Sequence, residues 1–230
     1  MASSSTQASK LKETQVPTNP FAELRENYQM KGLIEADALP DPIAQFHRWF
    51  DDCLSTKLLE ANAMSLATVS SDGQPTVRMV LLKALDDRGF SFFTNYESQK
   101  ASDLNSNPKA AICFHWKELE RQVRASGTVE KLTREESEIY FRERPRISQI
   151  GAWASNQSSR IEGRETLEAA RRLYEQRFEG QPVPMPDFWG GYLLRPVEME
   201  FWQGRPGRLH DRLHYHLQSD QSWRISRLSP

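Results

Sequence analysis

The chain is 230 residues long, with 30 Lys and Arg against 31 Asp and Glu and a formal net charge of −1. That length fits one large domain or two small ones and can bury a substantial core. The neutral balance excludes the basic excess of a sequence-independent nucleic-acid or anionic-membrane binder, and no run approaches the ~18 consecutive apolar residues of a spanning helix.

Met1 to Pro20 is rich in Ser, Thr and Gln and is expected to be a disordered arm. It lacks the apolar stretch of a secretion signal and the arginines of a transit peptide, which makes the cytoplasm the expected compartment. Residues 21–230 then form a single expected domain. The two cysteines, Cys53 and Cys113, admit a disulfide, but a reducing compartment favours two thiols.

A short helix is predicted over Phe21 to Lys31, stopped by Gly32. Asp41 followed by Pro42 reads as an N-cap and first helical residue, with Ile43, Phe46, Phe50 and Leu54 as the apolar stripe. The period then changes to two. Ala63 to Val69 and Thr76 to Lys83 read as strands joined at Asp72-Gly73, and Asp86 to Gly89 turns the chain into a strand over Phe90 to Thr94. Ser98 to Asn107 is a predicted helix closed by Pro108, followed by strands over Ala110 to Trp116 and Gln122 to Lys131. Thr133 and Glu136 form a capping box for a helix that Pro145 ends. Gly163 to Phe178 reads as a helix with Leu167, Ala170, Tyr174 and Phe178 on one face and a Glu168–Arg172 pair on the other. Gly180 to Asp187 is a proline-rich linker, and the final strands are expected over Gly191 to Arg195, Glu198 to Gln203 and Leu213 to Leu217. Short strands with helices in the connections point to an antiparallel barrel or sandwich.

No glycine-rich phosphate loop is present, so a bound phosphate must be met by side-chain cations. Arg78 and Lys83 lie in an otherwise apolar strand, on opposite faces if period 2 holds throughout; the plainer reading of Lys83 is a strand end in water. Tyr140, Arg144 and Ser148 fall near one another if a helix breaks at Pro145, and phenol, guanidinium and hydroxyl suit a phosphate; equally, the arginines could serve a helix C-terminus. In Arg208-Leu-His210-Asp-Arg212 a strand would place Arg208, His210 and Arg212 on one face, a repulsive set unless an anion or electron-rich ring lies against it. His214 and His216 lack a third residue at metal-ligand spacing, so no metal site is expected.

Taken together, these segments resemble the pyridoxine (pyridoxamine) 5′-phosphate oxidase family. The resemblance runs from about Phe21 to Pro230 and rests on RMVLLK (78–83), FFTN (92–95), ERQV (120–123), SQIGAWAS (148–155), NQSSR (156–160), FWGG (188–191), EFWQG (200–204) and RLHDR (208–212), all in order. It implies a mostly β, α+β fold, an antiparallel split β-barrel with peripheral helices that binds FMN at a homodimer interface. It implies FMN contacts from Arg78, Met79, Val80, Leu81, Leu82, Lys83, Phe93, Thr94, Gln99, Lys100, Gln122, Gln157, Ser158, Trp202 and Arg212. Substrate phosphate would be held by Lys83, Tyr140, Arg144 and Ser148. Arg208 and His210 would lie over the pyridine ring as the catalytic pair, and Arg25 and Tyr28 belong to a segment that can close over the site. The implied reaction is oxidation of pyridoxine or pyridoxamine 5′-phosphate to pyridoxal 5′-phosphate. Dioxygen is the acceptor, hydrogen peroxide the product, and ammonia is also released from the amine. Nucleic acid, membrane and metal are not expected partners. The rival readings are a related split-barrel oxidase acting on another ring, as in phenazine biosynthesis, and a non-catalytic carrier of FMN or pyridoxal phosphate.

One position departs from the family. Where arginine usually precedes the lysine of S-R-K, this chain has Ser98-Gln99-Lys100. A charge-assisted hydrogen bond contributes roughly 1.5–3 kcal/mol against about 1 for a neutral one, so a Gln99→Arg variant is expected to bind FMN up to about tenfold more tightly. Titration of FMN into the two apoproteins measures this; equal dissociation constants would refute it.

Overall fold

The computed structural model describes Tyr28, Met30 and residues 32–230. The arm over 1–20, Arg25 and the predicted first helix, apart from Tyr28 and Met30, lie outside the described residues. Strands β1 (Ala63–Val69), β2 (Pro75–Leu81), β3 (Ala84–Asp86), β4 (Gly89–Asn95), β5 (Lys109–Trp116), β6 (Arg121–Lys131), β7 (Trp189–Gln203), β8 (Asp211–Leu217) and β9 (Trp223–Arg227) pair antiparallel throughout. Helices α1 (Pro42–Ser55), α2 (Gln99–Ser106), α3 (Arg134–Glu143), α4 (Arg146–Ala154) and α5 (Arg164–Arg177) occupy the connections.

The strand order is β2-β1-β5-β6-β7-β4-β3, with β8 and β9 branching from β7. The first and last strands of that order are neighbours in the chain, joined only by Leu82 and Lys83. Their backbone N–H groups bond to Asn62 and Ser91, on opposite sides of the joint, at 2.8 and 2.9 Å. The two edges of the sheet are therefore drawn together into a barrel, which removes the exposed edges of an open sheet. β7 is long enough to serve two sub-sheets: its first half pairs with β4, its second with β8, and β6 runs along both. This is the split barrel.

Two strands expected over Gly191 to Arg195 and Glu198 to Gln203 are thus one. Pro196 falls where the β6 register shifts between Ser126 and Gly127, a bulge that tolerates a residue without an N–H. At Gly127 a Cβ would come within 1.9 Å of the Arg195 carbonyl oxygen, so the bulge requires glycine. Two further elements were not expected. Pro145 ends α3 but also precedes α4 directly, and β9 follows the turn at Gln218–Ser222.

The barrel interior is aromatic. α1 is capped by Asp41, whose carboxylate accepts the N–H groups of Ile43 and Ala44, and it lays Phe46 against Phe90 and Phe114 at 5.2 and 4.9 Å between ring centroids. Its buried face continues through Trp49 and Cys53; Leu54, expected on that stripe, is 58% exposed. Both cysteines are free thiols. A second apolar cluster of Phe141, Ile150, Phe178, Val183, Met185 and Trp189 packs α3, α4 and the approach to β7 together. On α5, Glu168 pairs with Arg164 instead of Arg172. No described helix is long and apolar enough to cross a membrane.

Phe46 is 1% exposed and contacts rings on both sides of the barrel. Phe46→Ala is expected to lower unfolding stability by about 3–5 kcal/mol in urea denaturation; a loss under about 1 kcal/mol would show that this ring does not hold α1 on the barrel.

Candidate active site

A cavity of about 770 Å³ opens over the seam where β2 and β4 approach. β2 and the joint contribute Arg78, Met79, Val80, Leu81 and Lys83; β4 contributes Phe93, Thr94 and Asn95; α2 contributes Gln99 and Lys100. Tyr140, Arg144 and Ser148 come from α3, the break and α4, while Gln157 and Ser158 follow α4. Arg78 and Lys83 face one cavity, against the expectation from period 2. The strand stops at Leu81, and the chain turns at the joint before Lys83, so alternation no longer applies.

Lys100 is 7% exposed. Its ammonium donates to Thr94 Oγ1, Ser98 Oγ and Gln157 Oε1 at 3.1, 3.2 and 3.0 Å, all neutral oxygens, and no described carboxylate pairs with it. Burial, with the charge of Arg78 second, pushes it down to about 8. Ser98 precedes α2, but its hydroxyl donates back to the Asn95 carbonyl and does not cap the helix. The positive end of α2 is therefore left towards the cavity. The Gln99 backbone N–H donates to Ser158 Oγ, while its side-chain amide donates to Asp103 at 2.8 Å.

Arg144 presents the same situation at another part of the wall. Burial lowers its pKa against the opposing effect of Tyr140, and Nη1 is buried without a hydrogen-bond partner. Its guanidinium lies 4.6 Å from the Trp189 ring centroid, a contact that holds a cation without neutralising it. Tyr140 stacks on Phe93 at 4.0 Å, and Phe93 on Trp189 at 5.5 Å. Gly191 leaves room for this stack, since a Cβ there would meet Phe93 at 2.8 Å. The other arginines expected to serve the helix end have separate tasks: Arg142 pairs with Glu138, and Arg146 donates to the Phe178 and Gln181 carbonyls at the end of α5. Trp189, Asn95 and Asp103 were not singled out by sequence. The FWGG motif contained the first, and the second follows directly after Thr94.

The remaining site candidates lie elsewhere and do not line this cavity. Gln122, Trp202 and Arg212 are register partners across β6, β7 and β8. Arg212 is held by Glu200 through Nε and Nη2, both at 2.9 Å. Trp202, His210 and Tyr28 form an aromatic group, with Trp202 and His210 4.6 Å apart. The one-face strand expected for Arg208, His210 and Arg212 is not formed. Arg208 sits in a turn at φ 62°, exposed, and β8 begins only at Asp211. The Arg205 N–H donates to His210 Nδ1 at 3.1 Å, which fixes Nε2 as the protonated nitrogen of the neutral ring. Burial, then the Arg208 charge, lowers the His210 pKa and keeps that neutral form. No described group of three His, Cys, Asp or Glu side chains could hold a metal.

Residues 50–177 match the family described as pyridoxamine 5′-phosphate oxidase, and residues 189–230 match the pyridoxine 5′-phosphate oxidase C-terminal dimerisation region. The chain is 56% identical over 210 residues to the pyridoxine/pyridoxamine 5′-phosphate oxidase of Cupriavidus taiwanensis, covering 91% of this chain and 99% of that one. Among solved structures it is similar to PhzG from Burkholderia lata, in complex with tetrahydrophenazine-1-carboxylic acid, at 30% identity and a TM-score of 0.82, covering 87% and 99% of the two chains. A pyridoxamine 5′-phosphate oxidase-related, FMN binding protein from Nostoc punctiforme shares the fold at 19% identity, with a TM-score of 0.67 and coverage of 84% and 100%.

Burial of Lys100 leads to the expectation that an anion meeting it binds with an affinity that depends on pH. An anion that needs the ammonium binds less well once the free lysine loses its proton, so affinity falls as pH rises through about 8. Sulfate keeps its charge over this range; its affinity by calorimetry is expected to drop about tenfold from pH 7 to pH 9, and the dependence to flatten in Lys100→Met. Equal slopes in the two proteins would show that Lys100 does not meet the anion.

Proposed function

The chain belongs to the pyridoxamine 5′-phosphate oxidase family, and from that premise we propose that it oxidises pyridoxine 5′-phosphate and pyridoxamine 5′-phosphate to pyridoxal 5′-phosphate with bound FMN. Dioxygen is reduced to hydrogen peroxide; from the amine, water is consumed and ammonia released. The observation that carries this reading is one cavity with two sets of under-neutralised cations, one around Lys100 and Arg78 and one around Arg144. Two phosphates, those of flavin and substrate, fit these sets.

The donors suit FMN. Arg78, the positive end of α2, Lys100 and Ser158 would take its phosphate. Met79, Val80, Leu81 and Lys83 with Phe93, Thr94 and Gln157 would frame the ring system, Leu82 being turned into the barrel core, and Gln99 stands where the family usually has arginine. Bound FMN supplies two-electron redox chemistry. Lys83, Tyr140, Arg144 and Ser148 would hold the substrate phosphate, and their task is to fix the position of the reacting carbon. Trp189 keeps Arg144 aimed into the cavity. His210 would offer Nε2–H as a donor to the substrate ring, beside Arg208.

Because Gln122, Trp202, Arg208, His210 and Arg212 lie away from the cavity of their own chain, we place them at the cavity of a second copy, in a homodimer. The match of residues 189–230 to a dimerisation region supports this. So does the outer face of β2, where Val77 and Met79 are 69% and 63% exposed. PhzG favours an alternative, a related oxidase acting on a phenazine ring; the Tyr140–Arg144–Ser148 set favours a phosphate ester.

The visible spectrum of the purified protein tests the activity. Flavin bands are expected to bleach on anaerobic addition of pyridoxine 5′-phosphate and to return in air; bands that persist would refute the substrate. Arg208→Ala is expected to lower turnover more than flavin content. Mixing Arg208→Ala with Arg144→Ala chains should give activity above that of either variant alone, since each dimer of mixed type regains one complete site; no gain would refute the shared site.

A further inference from the structure

Arg78 is held by a two-step relay. Nη1 donates to Thr68 Oγ1 and Nη2 to Thr76 Oγ1, both at 2.6 Å, and the two threonines face each other across β1 and β2. Each hydroxyl then donates to the same carboxylate oxygen, Asp103 Oδ2, at 2.6 and 3.0 Å. Asp103 Oδ1 accepts the Gln99 amide. The direct Arg78–Asp103 separation is 3.8 Å, beyond hydrogen-bond length. Burial raises the Asp103 carboxyl, but the bonds from Thr68, Gln99 and Thr76 with the charge of Arg78 outweigh it and leave it below its usual range.

The geometry fixes direction as well as position. An ionised carboxylate only accepts, so both threonine protons point to Asp103 and both hydroxyl lone pairs point to Arg78. Nη1 also reaches the Leu66 and Thr76 carbonyls. Of the five N–H groups of the guanidinium, this leaves Nε–H and one on Nη2, adjacent donors on one edge and the pair suited to bidentate phosphate. Arg78 is itself part of the cavity wall.

We propose that Asp103 is a positioning residue for the flavin phosphate: through Thr68 and Thr76 it fixes the Arg78 guanidinium with its free edge towards the cavity, and so sets the preference for FMN over riboflavin without touching either. This rests on the flavin reading above. Asp103→Asn is nearly isosteric but removes the charge and leaves one accepting oxygen, so Thr68, Thr76 and Gln99 can no longer all donate to it and the relay weakens.

The test is titration of FMN and of riboflavin into the full-length apoprotein, followed by flavin fluorescence. Asp103→Asn is expected to lower the FMN-over-riboflavin preference about tenfold while riboflavin affinity stays within about twofold. Thr76→Val should lose part of the preference and Thr76→Ser should keep it. This pair decides the matter if Asp103→Asn does not fold. A folded Asp103→Asn protein with unchanged or increased preference, or equal behaviour of the two Thr76 variants, would overturn the proposal and leave the flavin reading intact. A parent protein that binds neither flavin would overturn both.

Discussion

Burying cations beside a cavity without placing carboxylates in it is the constraint on which this site depends. A buried ammonium or guanidinium is costly to leave unpaired, yet one fully paired with a carboxylate has little left for a ligand anion. The chain resolves this with partial compensation. Lys100 is met by three neutral oxygens from three segments, Thr94 on β4, Ser98 before α2 and Gln157 after α4. Those segments must converge for the lysine to be tolerated, so the folded arrangement of the wall and its readiness for an anion are one property.

The arginines show three grades of the same solution. Arg144 rests on the face of Trp189 and has an unpartnered Nη1. Arg78 reaches its carboxylate only through two hydroxyls, which orient it while the negative charge stays behind the strand. Arg212 is paired directly with Glu200, which also takes Arg124. Neutralisation is thus lightest at Arg144, against the aromatic wall of the cavity, and heaviest at Arg212, which does not line it.

Much of this was legible in the residues because the informative elements are local. The Asp41-Pro42 start of α1, the capping box at Thr133 and the alternation over Ala63 to Val69 each follow from a few neighbouring side chains, and each element formed where expected. What failed depended on non-local context. The period-2 separation of Arg78 from Lys83 failed because barrel closure ends β2 at Leu81. The break expected at Pro196 failed because β6 bulges opposite it. The strand face expected for Arg208 failed because the chain turns through Gly207 and Arg208 with φ 67° and 62°. Pro145 stops α3 as a local signal, but a proline is equally compatible with a helix that begins immediately after it. Asp103 was invisible for a different reason: its partners Thr68 and Thr76 lie 35 and 27 residues away, and only strand pairing brings them together.

Barrel closure explains why most of the candidate residues gather and a smaller set does not. The joint at Leu82–Lys83 draws β2 and β4 together, so everything projecting at that seam shares a cavity. β8 leaves β7 on its second half, beyond the bulge, and its residues are directed away from the seam by the same long strand that supports it. The branch that splits the barrel therefore also sets these two groups of residues apart within one chain.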